Sequence, residues 1–131
     1  MDLLPKLKEE LEGKSRELRE RGIVAIILFG SLIKGNVRPE SDVDIAVLLR
    51  EGSDADWIYQ ELLRALRRDV DLPILNEAPP RMRFSALKGE VVYVSDEREL
   101  LSFIMRVYDE WADLEHLRRI VWSYTERWLT Q

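Results

Sequence analysis

The feature that most constrains this chain is an unbroken run of seven apolar residues, Ile23-Val24-Ala25-Ile26-Ile27-Leu28-Phe29. The run is too short for a confident helix and rich in β-branched residues, so it reads as a strand buried on both faces. Such a strand needs packed layers on either side of its sheet. Gly30-Ser31 interrupts the run, and a short helical turn is expected to follow. The polar, proline-containing stretch 36–41 reads as a loop, and Val43 to Leu49 forms a second apolar strand.

The flanking segments supply those layers. Leu3, Leu7, Leu11 and Leu18 recur at helical spacing among charged residues, which predicts one amphipathic helix over 3–21 stopped by Gly22. Asp54 or Asp56 is placed to cap a helix running to about Arg68, with Trp57, Leu62, Ala65 and Leu66 toward the core. Val70 to Leu75 reads as a third strand, at an edge or a strand end because Pro73 lacks an N–H. Pro79-Pro80 marks a loop, 81–88 reads as a short helix, and Val91 to Val94 as a fourth strand. Asp96 with Glu99 resembles a capping box at the head of a helical segment over 96–129.

In that segment Leu100, Ile104, Val107, Trp111, Leu114, Val121 and Trp128 form one apolar stripe. A single helix of that span would be about 50 Å long, far beyond the radius of gyration of roughly 14 Å expected for a domain this size. It must therefore either break, around Asp109 to Asp113, or run past its own core. The fold class expected is α/β (α+β): a mixed sheet of about four strands flanked by helices, with a long C-terminal helix or helix pair. The domain organisation expected is a single unit over 1–131, its core at about 20–95 and its helical segment at 96–129.

Composition narrows the function classes. With 46% apolar and 34% charged residues, the chain has the balance of a folded soluble domain. A formal net charge of -5 argues against gripping nucleic acid across the whole surface. There is no cysteine and only one histidine, His116, so thiolate and His-rich metal sites are excluded; His116 itself reads as a surface or interface residue. Residues 1–10 lack the apolar run of a signal peptide, and no stretch approaches the ~18 apolar residues of a membrane span. A cytoplasmic location without membrane contact is the expectation.

Chemistry concentrates around the first two strands. On a strand side chains alternate, so Asp42 and Asp44 in Ser41-Asp42-Val43-Asp44-Ile45 project from one side. Two carboxylates held so close repel, and a divalent cation removes the conflict; Mg²⁺ favours such oxygen ligands together with substrate phosphates. Asp71, between Val70 and Leu72, is a charge in an odd place for a strand. If its strand lies beside the Asp42–Asp44 pair, three acids converge and could hold two metals about 3.5–4 Å apart, which favours in-line displacement at phosphorus. Gly30 lets the backbone approach a phosphate closely, Ser31 adds a hydroxyl donor, and Lys34 and Arg38 are near enough in sequence to neutralise a triphosphate. Ser41 joins this candidate nucleotide-binding set, although in the loop it could simply shape the chain.

Gly30-Ser31, ten further residues, then Asp42-x-Asp44 resembles the signature of the DNA polymerase beta superfamily of nucleotidyltransferases. The segment FGSLIKGNVRPESDVDIAVLL is similar to the minimal nucleotidyltransferase branch, and the likeness extends through VDLPILNEAPP to GEVVYV, over roughly residues 20–95. The resemblance implies that Gly30 and Ser31 position a nucleoside triphosphate, that Asp42 and Asp44 ligate Mg²⁺, and that Asp71 completes the site and helps deprotonate the acceptor. It implies ATP as substrate and two Mg²⁺ ions. Members of the branch are often paired with a small helical HEPN-domain ribonuclease toxin, which the nucleotidyltransferase neutralises as antitoxin, in some cases by adenylylating a tyrosine. Two alternatives stand beside this reading: an antitoxin that acts by binding alone, and a small-molecule transferase of the aminoglycoside type. The aromatic tail (Tyr108, Trp111, Trp122, Tyr124, Trp128) is a candidate docking surface. Assembly with a partner or with further copies is left open.

Overall fold

The computed structural model describes residues 3–30 and 43–129, and the side chains of Leu3, Trp128 and Leu129 lie outside that description. In chain order the elements are α1 (Leu3–Gly13), α2 (Ser15–Glu20), β1 (Ile23–Phe29), β2 (Val43–Leu49), α3 (Ala55–Leu66), β3 (Val70–Asp71), α4 (Pro80–Leu87), β4 (Glu90–Val94) and α5 (Glu97–Leu129). The four strands form one mixed sheet in the order β3-β2-β1-β4. β1 runs antiparallel to both β2 and β4, while β2 and β3 are parallel.

The apolar run sits where its composition demands. β1 is interior to the sheet, and its residues feed two separate cores. Ile26 and Leu28 join Leu7, Leu11 and Leu18 of α1–α2 and Ile58, Leu62 and Leu66 of α3 on one face. Ala25 and Ile27 join Ala86 of α4 and Leu100, Phe103 and Val107 of α5 on the other. The register shift between Ile23 and Ala25 places Val24 and Ala25 in the same core, as a bulge does. The result is a three-layer arrangement with α1–α3 below the sheet and α4–α5 above it.

Several expectations are corrected in detail. The first helix is two helices, because Lys14 (φ -114°, ψ 12°) leaves the helical region between α1 and α2. Gly13 is a poor helix former, and Lys14 turns to meet Glu61 of α3. That ammonium holds the Glu61 carboxyl below its ordinary range, against the opposing effect of burial and with help from Arg64. In α3 the cap is Asp54, which accepts from the Asp56 N–H at 2.9 Å. Ile58, Leu62 and Leu66 form its buried stripe, while Trp57 and Ala65 are only partly covered. β3 is two residues long, not six: Pro73 has no donor, and pairing resumes only as an isolated Val47–Ile74 bridge. It lies at the sheet edge, as its proline suggested.

The C-terminal segment resolves to one helix of 33 residues without a break. Asp96 accepts from the Glu99 N–H at its start, at 3.2 Å. Arg83 of α4 anchors its middle, bonding Glu110 at 3.2 Å and the carbonyls of Leu75 and Asn76. Trp111 stacks on Phe84 with centroids 4.6 Å apart, so it belongs to the packing of the domain itself. Beyond it the helix leaves its own core. No helix among the described residues is long and apolar enough to cross a membrane.

Candidate active site

The strand pairing decides where the acids go. Val43 and Ile45 pack into the α1–α3 core, and Ala46 and Leu48 into the α4–α5 core. By alternation Asp44 therefore projects on the α4–α5 side of the sheet. Asp71 is the Cα partner of Asp44 across the parallel β2–β3 pair, next to Val70, which is buried in the α1–α3 core. Paired residues on neighbouring strands point the same way, and the strands lie ~4.8 Å apart. Asp44 and Asp71 thus stand side by side on one face, Asp44 half-buried and Asp71 exposed.

Gly30 closes the other side. It ends β1 with φ +78°, a conformation that favours glycine. A Cβ built on it would lie 2.2 Å from Asp44 Oδ2 and 3.0 Å from its Cγ. The backbone of Gly30 is thus in direct apposition to the carboxylate, and no side chain fits between them. Phe29, the antiparallel partner of Asp44, packs, like Phe84, Leu87 and Ile104, against the α4–α5 core.

Of the candidate residues, the fold brings together Gly30, Asp44 and Asp71 at one end of the sheet. Asp42, Ser31, Lys34, Arg38 and Ser41 lie outside the described residues. Sequence reasoning missed Gly89. A Cβ there would lie 2.3 Å from the Leu28 carbonyl oxygen and 2.7 Å from the Phe29 Cβ, so the turn into β4 closes directly on the end of β1 beside Gly30. The only signal was a glycine between a short helix and a strand, which ordinarily reads as punctuation.

The donor chemistry fits a hard divalent cation: carboxylate oxygens side by side, with no thiolate anywhere in the chain. Among the described residues no group of three His, Cys, Asp or Glu side chains converges on one point. The expected third acid, Asp42, is outside them.

A mixed four-stranded sheet with helices on both faces, and paired acids of β2 and β3 beside the glycine that ends β1, is the arrangement expected above of a nucleotidyl-transfer class of protein. Residues 6–98 match the family model described as polymerase beta, nucleotidyltransferase, and the chain belongs to that family. It is 37% identical over 97 residues to the protein adenylyltransferase MntA of Thermococcus cleftensis, covering 70% of this chain and 95% of that one. Among solved structures it is similar to a toxin–antitoxin complex with AMP-PNP (28% identity, TM-score 0.68, 87% of this chain and 94% of the other). It is also similar to a chain of the complex between tri-AMPylated HEPN toxin and MNT antitoxin of Shewanella oneidensis (26% identity, TM-score 0.62, 88% and 94%).

Proposed function

We propose that this chain is a cytoplasmic, single-domain protein adenylyltransferase over 1–131, transferring AMP from ATP to a tyrosine hydroxyl of a cognate HEPN toxin and thereby acting as its antitoxin. The observation that carries this reading is the side-by-side placement of Asp44 and Asp71 against the backbone of Gly30. The named relative and the two solved complexes support the choice of AMP and of a protein acceptor.

In this reading Asp42, Asp44 and Asp71 hold two Mg²⁺ ions, with Gly30, Ser31, Lys34, Arg38 and Ser41 receiving the triphosphate. Bound Mg²⁺ supplies charge neutralisation for the triphosphate and the departing pyrophosphate. The acceptor oxygen attacks the α-phosphorus in line. Its bond forms as the bond to the α–β bridging oxygen breaks, and pyrophosphate carries the electron pair away. Asp71, the exposed acid of the pair, receives the acceptor's proton. Gly30, having no Cβ, lets the Asp44 carboxylate lie directly against the end of β1.

The test is label transfer from α-labelled ATP with Mg²⁺ to the purified cognate HEPN protein. The wild type is expected to label it, and Asp44→Asn to lower the rate at least about 100-fold. A tight complex that acquires no label would return the protein to neutralisation by binding alone.

A further inference from the structure

The helical face that α5 buries against its own sheet does not end where the sheet does. Leu100, Phe103 and Val107 lie in the α4–α5 core at 8%, 4% and 1% exposure. The same three-then-four spacing continues through Glu110 to Leu114, Leu117, Val121 and Tyr124, which are 38%, 56%, 57% and 60% exposed. That repeat is the seam of helices that pack with a partner helix at a shallow angle. The overhanging part, residues 112–129, is about 27 Å long at 1.5 Å per residue. Contiguous exposed apolar surface of this kind marks an interaction site.

We propose that this overhang is the docking arm for the acceptor protein, and that a single helix of a net-cationic partner packs along the Leu114–Tyr124 seam. Three features favour that occupant. The spacing suits a helix. The arm itself is neutral, with Asp113, Glu115 and Glu126 balancing Arg118, Arg119 and Arg127, so the whole net charge of -5 resides on the remainder of the chain. Two copies of such a body repel, whereas a cationic partner is attracted. Finally, α5 covers the same face of the sheet from which Asp44 and Asp71 project. A protein held on its extension is therefore held on the side where the transferred group is presented. The identity of the partner rests on the function proposed above; the location of the seam does not.

The experiment is a titration of the full chain with the purified cognate HEPN protein in the absence of ATP, alongside sedimentation of the chain alone. L117E/V121E is expected to bind roughly 30-fold more weakly or worse, the scale of losing an interface hot spot. R119E, on the opposite side of the helix, is expected to bind like wild type. The milder L117A/V121A guards against a folding artefact and is expected to weaken binding about 10-fold with an unchanged thermal midpoint. Unchanged binding by both seam variants overturns the proposal even if AMP transfer proceeds normally. So does absence of binding by the wild type, or a wild-type dimer that L117E/V121E dissociates. Loss of binding in the seam variants supports it even if no label is ever transferred.

Discussion

The acidic end of the sheet and the overhanging half of α5 depart from ordinary core design in opposite ways. At the first, two like charges occupy paired positions on adjacent strands, where directly opposed like charges are destabilising. At the second, a stripe of large apolar side chains continues into solvent beyond the layer that would cover it. Elsewhere the chain keeps the rules: the described residues bury 25 apolar side chains and no charged or polar one. Local rules are most often broken at functional sites. The two departures also differ in what would relieve them, a cation with phosphate in one case and another protein surface in the other.

The sharpest way to break that contrast is to truncate the two halves of one helix. Phe103→Ala removes a ring that is 4% exposed, and should cost about 3–5 kcal/mol in denaturant unfolding. Leu117→Ala, on the overhang, should shift stability by no more than about 0.5 kcal/mol. Equal losses would mean that the overhang folds back onto a core. At the acidic end, Gly30→Ala should cost about 1–3 kcal/mol, because a Cβ would meet Asp44 and the backbone angle is positive. It should also depress AMP transfer, whereas Asp44→Asn, which keeps the side chain's shape and one oxygen acceptor, should depress transfer while shifting the metal-free thermal midpoint by only a few degrees. A large drop in that midpoint would show that Asp44 serves the fold.

Smallest is an effect remote from both regions. Glu61 is held below its ordinary range by Lys14, so its contribution to stability is present above the unfolded value and is lost as pH falls through the depressed one. In wild type the unfolding free energy should decline across acid pH; in Glu61→Gln that part of the decline should be missing. Identical pH profiles would show that the Lys14–Glu61 pair adds nothing.

How much of this was legible beforehand depended on the range of the interaction. β1, β2 and the existence of α5 followed from periodicity, since seven apolar residues or a long heptad stripe are local signals. The break at Lys14 did not: Gly13 is a weak local signal, and the Lys14–Glu61 pair joins positions 47 residues apart. β3 was overestimated because Val70, Leu72, Ile74 and Leu75 look like strand residues, while Pro73 limits the ladder to Val70–Asp71. Periodicity gave α5 its stripe but left open whether the helix broke, and it could not say where the cover ends. Asp42 and Asp44 were readable as a same-side pair. The proximity of Asp71 was conditional, because parallel pairing joins positions 27 residues apart through the α3 crossover. The role of Gly89 was hidden for a similar reason: its neighbours, Leu28 and Phe29, lie some sixty residues back.

The central claim is that Asp44 and Asp71 act on one ligand. It is tested most directly by a double-mutant cycle on stabilisation by AMP-PNP with Mg²⁺. At ligand concentrations near 100 times the dissociation constant the wild type should gain about 2.7 kcal/mol in unfolding free energy. Asp44→Asn and Asp71→Asn should each lose most of that gain, and the double variant scarcely more than either alone. Wild-type stabilisation in Asp71→Asn, or losses that simply add, would contradict a shared site.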